Sequence, residues 1–253
     1  MPSQYIIGSS TLTDIADAIR LKGGTSSPIA PSEMPDLIDA IPSGGGSDVP
    51  PHAYESSTIT SFSSNATYIL DKAFAYCDGL TTLNFPQASY IGDSAFTDCR
   101  SLATISFPQA SFIGESAFNS CAGLTTLNFP QASYIGSNAF RYCSGLATVN
   151  FPQASYIGSN AFESCHSLAT ASFPQVSYIG SSAFRYCYYL TSLYLLGSSI
   201  PSLANSSAFY STPINGYSTS AGKYGSIFVP ASLFASYKTA SNWRYFSSRF
   251  VSV

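Results

Sequence analysis

The sequence predicts a mainly β protein, a parallel β-solenoid of 22-residue coils with a small N-terminal helical segment and a helical C-terminal cap. Three observations predict this fold class. A 22-residue pattern that begins YIGDSAFTDC at Tyr90 recurs without a gap up to the copy at Tyr178, and a poorer copy begins at Tyr68. Each copy holds one short run of alternating apolar and polar residues, which is typical of a half-buried strand. The pattern fades at both ends of the array, where a solenoid needs caps.

The composition excludes several classes of function. Only 9% of the 253 residues are charged, against about 25% in an average domain. The surface is therefore built mainly from Ser, Thr, Asn, Gln and Tyr, which suits a protein that works outside a cell or in a particle. A net charge of -3 without a run of Lys or Arg indicates no nucleic-acid partner. Neither a secretion signal nor an apolar run of about 18 residues is present, so we expect no Sec export and no membrane insertion.

Residues 1–43 are predicted to form a small helical attachment or oligomerisation segment. A first helix covers Asp14–Leu21, and a second begins at Ser32 and ends before Pro42. The apolar positions of the two helices are Ile15, Ile19, Leu37, Ile38 and Ile41. Two such helices bury too little surface to fold alone, so we expect them to form a homo-oligomer or to pack on a larger assembly. Residues 44–56, rich in Gly, Ser and Pro, are predicted to be a flexible linker.

Residues 57–199 are predicted to form the solenoid, an irregular first coil followed by six regular coils. Three apolar columns that repeat every 22 residues run from Ile69 to Ile179, from Phe74 to Phe184 and from Leu80 to Leu190. In the strand that follows each Leu, Leu83 and Phe85 are expected to point inward, and Thr82 and Asn84 outward. Stacked coils would then cover one another's apolar edges.

Three further positions of the repeat have predicted roles. A proline ends each strand, because it cannot donate to the next hydrogen bond of the ladder. The glycines from Gly92 to Gly180 are expected to bend the chain with a positive φ. Ala171 stands where the other coils have Leu, Ile or Val, which predicts a local void beside it.

The cysteines are predicted to form a buried ladder of free thiols. They are Cys77, Cys99, Cys121, Cys143, Cys165 and Cys187, one in each regular coil. Neighbouring thiols would lie about one strand spacing apart, roughly 4.8 Å, which exceeds the Cβ separation of about 3.8 Å that a disulfide prefers. The array has no CxxC pair, so we expect no metal site.

Residues 200–253 are predicted to cap the open end of the solenoid. Ser226–Val229 would form a last strand, and Pro230 would open a helix over Ala231–Thr239. The large side chains expected to close the end are Trp243, Tyr245, Phe246, Phe250 and Val251.

The repeated string Ile-Gly-x-x-Ala-Phe-x-x-Cys-x-x-Leu, followed by a strand that ends in Phe-Pro, closely resembles the BspA-like leucine-rich repeat family over residues 57–200. The resemblance implies a curved β-solenoid of the leucine-rich-repeat type, exposure outside the cell and adhesion to proteins, glycans or cell surfaces. The N-terminal segment, with Ile15–Arg20 followed by Pro31–Ile41, resembles a short segment that opens many virion proteins of tailed bacteriophages. That second resemblance implies attachment to other virion proteins.

No constellation of residues predicts an enzyme. His52 lies in the linker and His166 in a variable position of the fifth coil, and the sequence has no G-x-S-x-G, P-loop, H-E-x-x-H or EF-hand pattern. We therefore expect no catalytic residue, no cofactor and no metal.

The variable part of each repeat is the pair of residues on either side of its cysteine, a surface that we call the lateral ridge. The candidate ligand-binding residues are concentrated in its last three coils and are Arg141, Tyr142, His166, Arg185, Tyr186, Tyr188 and Tyr189. Tyr and Arg contribute much of the binding energy at recognition surfaces, and aromatic rings suit the faces of sugars. The alternative is that these positions vary because nothing constrains them.

These observations favour a non-enzymatic adhesin or receptor-binding component of a phage virion, such as a tail fibre or capsid appendage, that binds a glycan or protein on the host surface. Several weak contacts from an oligomer would add by avidity. Two alternatives stay open at this point: a bacterial cell-surface or secreted repeat adhesin, and a virion decoration protein with no ligand.

Overall fold

The computed structural model describes residues 60–216 and 224–253. The predicted N-terminal helices, with Ile15, Ile19, Leu37, Ile38 and Ile41, and the predicted linker lie outside the described residues. In chain order the strands are β1 (Ser61–Ser63), β2 (Tyr68–Ile69), β3 (Thr82–Asn84), β4 (Tyr90–Ile91), β5 (Thr104–Ser106), β6 (Phe112–Ile113), β7 (Thr126–Asn128), β8 (Tyr134–Ile135), β9 (Thr148–Asn150), β10 (Tyr156–Ile157), β11 (Thr170–Ser172), β12 (Tyr178–Ile179), β13 (Ser192–Tyr194), β14 (Ser202–Leu203), β15 (Ser226–Val229) and β16 (Phe250–Ser252). The helices are α1 (Phe234–Tyr237) and the 3₁₀ turns Ser206–Phe209, Pro213–Asn215 and Trp243–Phe246.

The described residues form a parallel β-solenoid of 22-residue coils, which confirms the predicted fold class. Each regular coil contributes a two-residue strand to one face and a three-residue strand to another. The two-residue strands β2 to β14 pair in parallel in one seven-stranded sheet. The three-residue strands pair in parallel as β1 with β3, as β5 with β7, and in the row from β9 through β11 and β13 to β15 and β16. The register keeps identical positions opposite each other, as in Ile91 with Ile113.

A third ladder of hydrogen bonds joins the coils through the turn that precedes each cysteine. The amide of Phe118 donates to the carbonyl oxygen of Ala139 (2.8 Å), and the amide of Ser120 donates to that of Arg141 (2.8 Å). The residue before the cysteine has a left-handed backbone in every regular coil, with φ of 62° at Ser120 and 61° at Tyr142. Such a φ is uncommon outside glycine. Because the left-handed backbone recurs in each coil, we infer that it orients the amide of the residue before the cysteine toward the next coil.

The interior consists of columns in which each side chain packs on its own copy. The Phe rings of successive coils stack nearly parallel, with centroids 5.3 Å apart for Phe118 and Phe140 and 5.5 Å apart for Phe184 and Phe209. Ala171 is fully buried in its strand, opposite Val149 and Leu193. The columns therefore account for the coil without any variable residue.

The glycine column has a different cause from the predicted one. Among the described glycines only Gly216 has a positive φ, so the expectation that Gly92 to Gly180 bend the chain with positive φ is wrong. At Gly136 an added Cβ would lie 2.6 Å from the backbone carbon and oxygen of Gly114 in the preceding coil. Close approach of two coils, and not a special bend, requires glycine at this position.

The thiols lie in the same interior. None of the six cysteines forms a disulfide and all six are buried. The Cys121 thiol donates to the carbonyl oxygen of Phe96 (3.0 Å), as the Cys143 thiol does to that of Phe118 (3.1 Å). Burial is the main cause that raises the pKa of Cys99, to about 12. It likewise raises the pKa of Cys121 and Cys143 well above their ordinary value. These thiols are therefore protonated packing groups at neutral pH.

The C-terminal cap differs from the prediction in two ways. The helix predicted over Ala231–Thr239 is α-helical only at Phe234–Tyr237. Trp243 and Phe246 are buried on Phe209, whereas Tyr245 and Val251 are 61% and 37% exposed. Val251 is exposed because β16 adds one more parallel strand beside β15, and alternate residues of a strand point to opposite faces. The cap thus extends the sheet as well as covering its end.

Candidate functional site

The turns before the cysteines fix the geometry of the lateral ridge. We call the second residue before each cysteine the inner slot. Its carbonyl accepts a hydrogen bond from the preceding coil, as that of Glu163 does from the amide of Tyr142 (2.9 Å). The inner slot is consequently buried or half-buried in every regular coil, and Thr97 and Glu163 are 8% and 5% exposed. The ridge is therefore not uniformly exposed. Its outward-facing part is formed mainly by the residue directly before each cysteine and the two residues after it.

The fourth regular coil carries an arginine whose charge is compensated. The Arg141 guanidinium carbon lies 4.5 Å from the centre of the Tyr142 ring. Its Nε atom lies 2.7 Å from Glu163 Oε2 in the inner slot of the next coil. The two atoms form an ion pair, although the Nε–H bond is not aligned for a hydrogen bond with that oxygen. A buried carboxylate and a half-buried guanidinium thus neutralise each other.

The sixth regular coil also places an arginine on the ring of the following tyrosine, but its guanidinium has different partners. The Arg185 guanidinium carbon lies 4.6 Å from the centre of the Tyr186 ring, and Nη2 donates to Tyr186 Oη (2.7 Å). The next residue along the ridge is Tyr210, whose ring centre lies 5.2 Å from the same guanidinium carbon. Within residues 60–216 and 224–253 no carboxylate forms an ion pair with Arg185. No carboxylate of the described residues therefore compensates the charge of Arg185, and the groups that contact its guanidinium are aromatic rings.

Aromatic contacts connect this arginine to the neighbouring coils. The His166 and Tyr188 rings stack with centroids 5.1 Å apart and an interplanar angle of 18°. The Tyr186 ring lies 6.1 Å from that of Tyr188 and meets the ring of Tyr210 edge to face at 5.9 Å. We call these four residues, together with Arg185, the aromatic–arginine cluster. Tyr210 is 49% exposed, so the cluster presents ring surface as well as charge to solvent.

The structure places the predicted site residues in two groups. His166, Arg185, Tyr186 and Tyr188 contact one another, directly or through a neighbour, whereas Arg141 and Tyr142 form a separate pair with Glu163. Tyr189 is 56% exposed beside the cluster.

Sequence reasoning missed two residues of the ridge, Glu163 as the partner of Arg141 and Tyr210 as a member of the cluster. Tyr210 follows Ala208-Phe209, the same Ala-Phe step that precedes Arg185, and this step could have revealed it.

A second row of rings lies on the seven-stranded sheet and serves as a contrast. Its members, stacked from coil to coil, are Tyr68, Tyr90, Phe112, Tyr134, Tyr156 and Tyr178. Burial, with smaller contributions from Asp71 and Asp93, raises the pKa of Tyr90 well above its usual value. This row hardly varies from coil to coil and its ring faces are covered by each other, so we assign it to the scaffold.

The described residues offer little for metal or membrane chemistry. No group of three or more His, Cys, Asp or Glu side chains in residues 60–216 and 224–253 could hold a metal ion. In the same part of the chain, no helix has the length and apolar character to span a bilayer. What the ridge offers is a cation, several rings and hydrogen-bonding hydroxyl groups, which is the chemistry of recognition.

Comparisons with known proteins agree with this architecture. The sequence pattern described as BspA type Leucine rich repeat region (6 copies) matches residues 47–165 and 111–222, which together cover more than half of the chain. A leucine-rich repeat protein from Bacteroides ovatus has 23% identity and a TM-score of 0.53, over 77% of this chain and 54% of its own. One from Eubacterium ventriosum has 23% identity and a TM-score of 0.51, over 61% and 43%. The chain thus spans about half the length of these proteins. No curated protein has a significantly similar sequence.

Proposed function

The chain belongs to the BspA-type leucine-rich repeat proteins, and on that premise we propose that it is a non-enzymatic binding protein whose lateral ridge attaches to a glycan or protein on a cell surface. The observation that carries the proposal is the aromatic–arginine cluster. It occupies the last coils of an array whose other faces change little from coil to coil.

Coils of the same ridge that carry no aromatic residue beside the cysteine support this assignment. In the second regular coil the positions equivalent to Tyr186 and Tyr188 hold Asp98 and Arg100, which form an ion pair with each other (2.9 Å). In the third they hold Ser120 and Ala122. The backbone is the same in all three coils, with φ of 58° at Asp98 and 61° at Tyr186. A fold that accepts Ser and Ala at these two positions does not need tyrosines there, so we attribute Tyr186 and Tyr188 to binding.

A binding assay on intact cells tests the proposal. Labelled full-length protein is expected to bind saturably to intact bacterial cells of a panel that includes the strain from which the protein is produced. A variant with Arg185→Ala, Tyr186→Ala and Tyr188→Ala should lose about tenfold or more in affinity, since hot-spot residues cost about 2 kcal/mol each when truncated. The matched control is Asp98→Ala with Arg100→Ala, which removes large side chains from the same slots of another coil and should bind normally. Saturable binding to no cell, or equal loss in the control, would support a decoration protein without a ligand.

The setting we propose is a phage virion, because the N-terminal segment around Ile15–Arg20 resembles those of tailed-phage virion proteins. That segment would attach the solenoid to other virion proteins and would make it multivalent. A bacterial cell-surface or secreted adhesin is the second candidate, and the bacterial origin of the two solved relatives suits it. Mass spectrometry of purified particles and of washed cells from one culture distinguishes the two settings. Recovery of the protein in the cell fraction alone would reject the virion.

A further inference from the structure

Two arginines occupy inner slots of the ridge two coils apart, on either side of Glu163, and their guanidinium groups have different partners. Arg141 and Arg185 each stack on the tyrosine that follows, at 4.5 Å and 4.6 Å from the ring centre. In the next coil the residue that meets Arg141 is Glu163, 2.7 Å from Nε. The residue that meets Arg185 is Tyr210, whose ring centre lies 5.2 Å from the guanidinium carbon. Glu163, in the coil between the two arginines, thus forms its ion pair with Arg141, and no carboxylate of residues 60–216 and 224–253 forms one with Arg185.

The charge balance along the slot favours an anionic partner for the second arginine. Arg141 and Glu163 cancel, so one positive charge stays at Arg185. The Arg185 Nε atom is buried without a hydrogen-bond partner, and Nη2 is the only guanidinium atom with a hydrogen bond among the described residues. A planar guanidinium has five N–H donors in a geometry that matches a carboxylate or a sulfate. The Nε–H is enclosed and one N–H of Nη2 is used by Tyr186, so the donors left for an external oxyanion are the two N–H groups of Nη1 and the second N–H of Nη2.

We propose that Arg185, with the rings of Tyr186 and Tyr210 beside it and that of Tyr188 next to Tyr186, binds the acidic group of an anionic saccharide. This inference rests on the proposed function and names the ligand class of the same surface. The guanidinium binds the carboxylate or sulfate, and the aromatic rings cover the apolar face of the sugar to which that group is attached. A neutral sugar would make only the second contact.

The size and surroundings of the cluster favour a saccharide over a protein. The cluster covers three successive coils, which corresponds to about 10 to 15 Å at the spacing of neighbouring strands. A stable protein–protein interface buries about 800 Å² on each partner and has an apolar centre. The sheet face of the regular coils instead carries exposed small polar residues, such as Thr126 and Asn128. A short oligosaccharide fits this surface, whereas a folded partner would find no apolar centre.

The two arginines supply matched variants for the test. Arg185→Gln removes the uncompensated charge. Arg141→Gln combined with Glu163→Gln removes both partners of the compensated pair and leaves the charge of Arg185 in place, so it serves as the control. Tyr210→Glu places a carboxylate where Glu163 stands relative to Arg141 and should neutralise Arg185 from within the protein. Thermal unfolding of each variant verifies that the coils stay folded.

The probes are lactose, sialyllactose and sulfated lactose, titrated into the full chain at low and at physiological ionic strength. At least one acidic member should bind about tenfold more tightly than lactose, as expected for one charge-assisted contact, and salt should reduce the difference. Tighter binding of sialyllactose would identify the recognised acidic group as a carboxylate, and tighter binding of sulfated lactose would identify it as a sulfate. Arg185→Gln and Tyr210→Glu should abolish the preference, and the double control should keep it.

Equal affinity for the three saccharides, binding to none of them, or loss of the preference in the double control would overturn the inference. Wild-type binding to intact cells, measured in parallel, separates this failure from a failure of the proposed function. If cells bind and the acidic saccharides do not, the ligand class is wrong and the binding role stands. If no cell binds, the binding role itself is rejected.

Discussion

The interior and the lateral ridge of each coil come from the same 22-residue pattern, yet they follow different rules. In most columns of the interior a side chain meets its own copy, as Phe118 meets Phe140 in nearly parallel rings. On the ridge, contacts between neighbouring coils join unlike residues, as Arg141 meets Glu163 and His166 meets Tyr188. A position that is equal in all coils serves the stacking of coils, which is all a solenoid needs. A position that differs is available for recognition.

The largest effect that should separate the two regions is a loss of stability at alkaline pH, and it comes from the interior. The ordinary pKa of a cysteine thiol is 9.0, and burial raises that of Cys99 to about 12 in the folded chain. Below pH 9 the thiols are neutral in both states. Above it an unfolded thiol loses its proton while a buried one keeps it, so the free energy of unfolding falls as pH rises. Each buried thiol contributes about 1.4 kcal/mol per pH unit up to its folded pKa.

Urea unfolding in a reducing buffer between about pH 8 and pH 10 measures this loss. With five enclosed thiols, Cys99 to Cys187, the free energy of unfolding should fall by several kcal/mol at about pH 10 if the coils unfold together. Cys143→Ser removes one of these five thiols and should make the fall of the free energy of unfolding with pH about one fifth less steep. A slope unchanged by that substitution would show that the ladder is not the cause.

The next largest effect should follow from placing a single methyl group between two coils. In Gly136→Ala the new Cβ lies 2.6 Å from backbone atoms of Gly114, which no side-chain movement can relieve. We expect a loss of about 3 kcal/mol, at the upper end of overpacking costs, measured by urea or thermal unfolding. Ser137→Ala, at the neighbouring residue, is the control and should change stability by less than about 0.5 kcal/mol. Equal stability of both variants would contradict the close packing of the coils.

The smallest effect should come from enlarging Ala171, the one alanine in a column of strand residues that are otherwise Leu, Ile or Val. Ala171 is fully buried between Val149 and Leu193 in neighbouring strands. If a void lies there, Ala171→Leu should be neutral or should raise the free energy of unfolding by about 1 kcal/mol, because added methyl groups would fill space. A fall of several degrees in the melting temperature would mean that the column is already closed around alanine.

The fold could be predicted because the interior repeats. The Ile, Phe and Leu columns fix which side of each strand is buried, and the register follows from their constant spacing. The reason for the glycines could not be predicted, because a close approach such as that of Gly136 to Gly114 involves two coils and leaves no local signature. The strand β16 could not be predicted for a similar reason. Phe250–Ser252 pairs with β15, but the segment between the two strands does not follow the 22-residue repeat, so the spacing gives no sign of this pairing.

The candidate site could be predicted in part. The pattern located Arg185, Tyr186 and Tyr188, since they stand at fixed distances from Cys187. Tyr210 was hidden because Thr212 replaces the cysteine of its coil and because Ala208 follows Ala183 by 25 residues instead of 22. The burial of Glu163 was hidden as well, because a variable position in a turn suggests exposure. Only the hydrogen bond from Tyr142 to its carbonyl shows that the inner slot lies within the stack.

The central claim is that the interior specifies the coil and the ridge of the last coils specifies binding. An exchange within the chain tests both halves at once: Arg185→Asn, Tyr186→Ser, Tyr188→Ala and Tyr189→Gly give the sixth regular coil the ridge of the third. The measurement is binding of this variant to intact cells, with its melting temperature taken on the same sample. We predict a melting temperature within a few degrees of the parent and a loss of binding of about tenfold or more. Unchanged binding, or a coil that no longer folds, would contradict the claim.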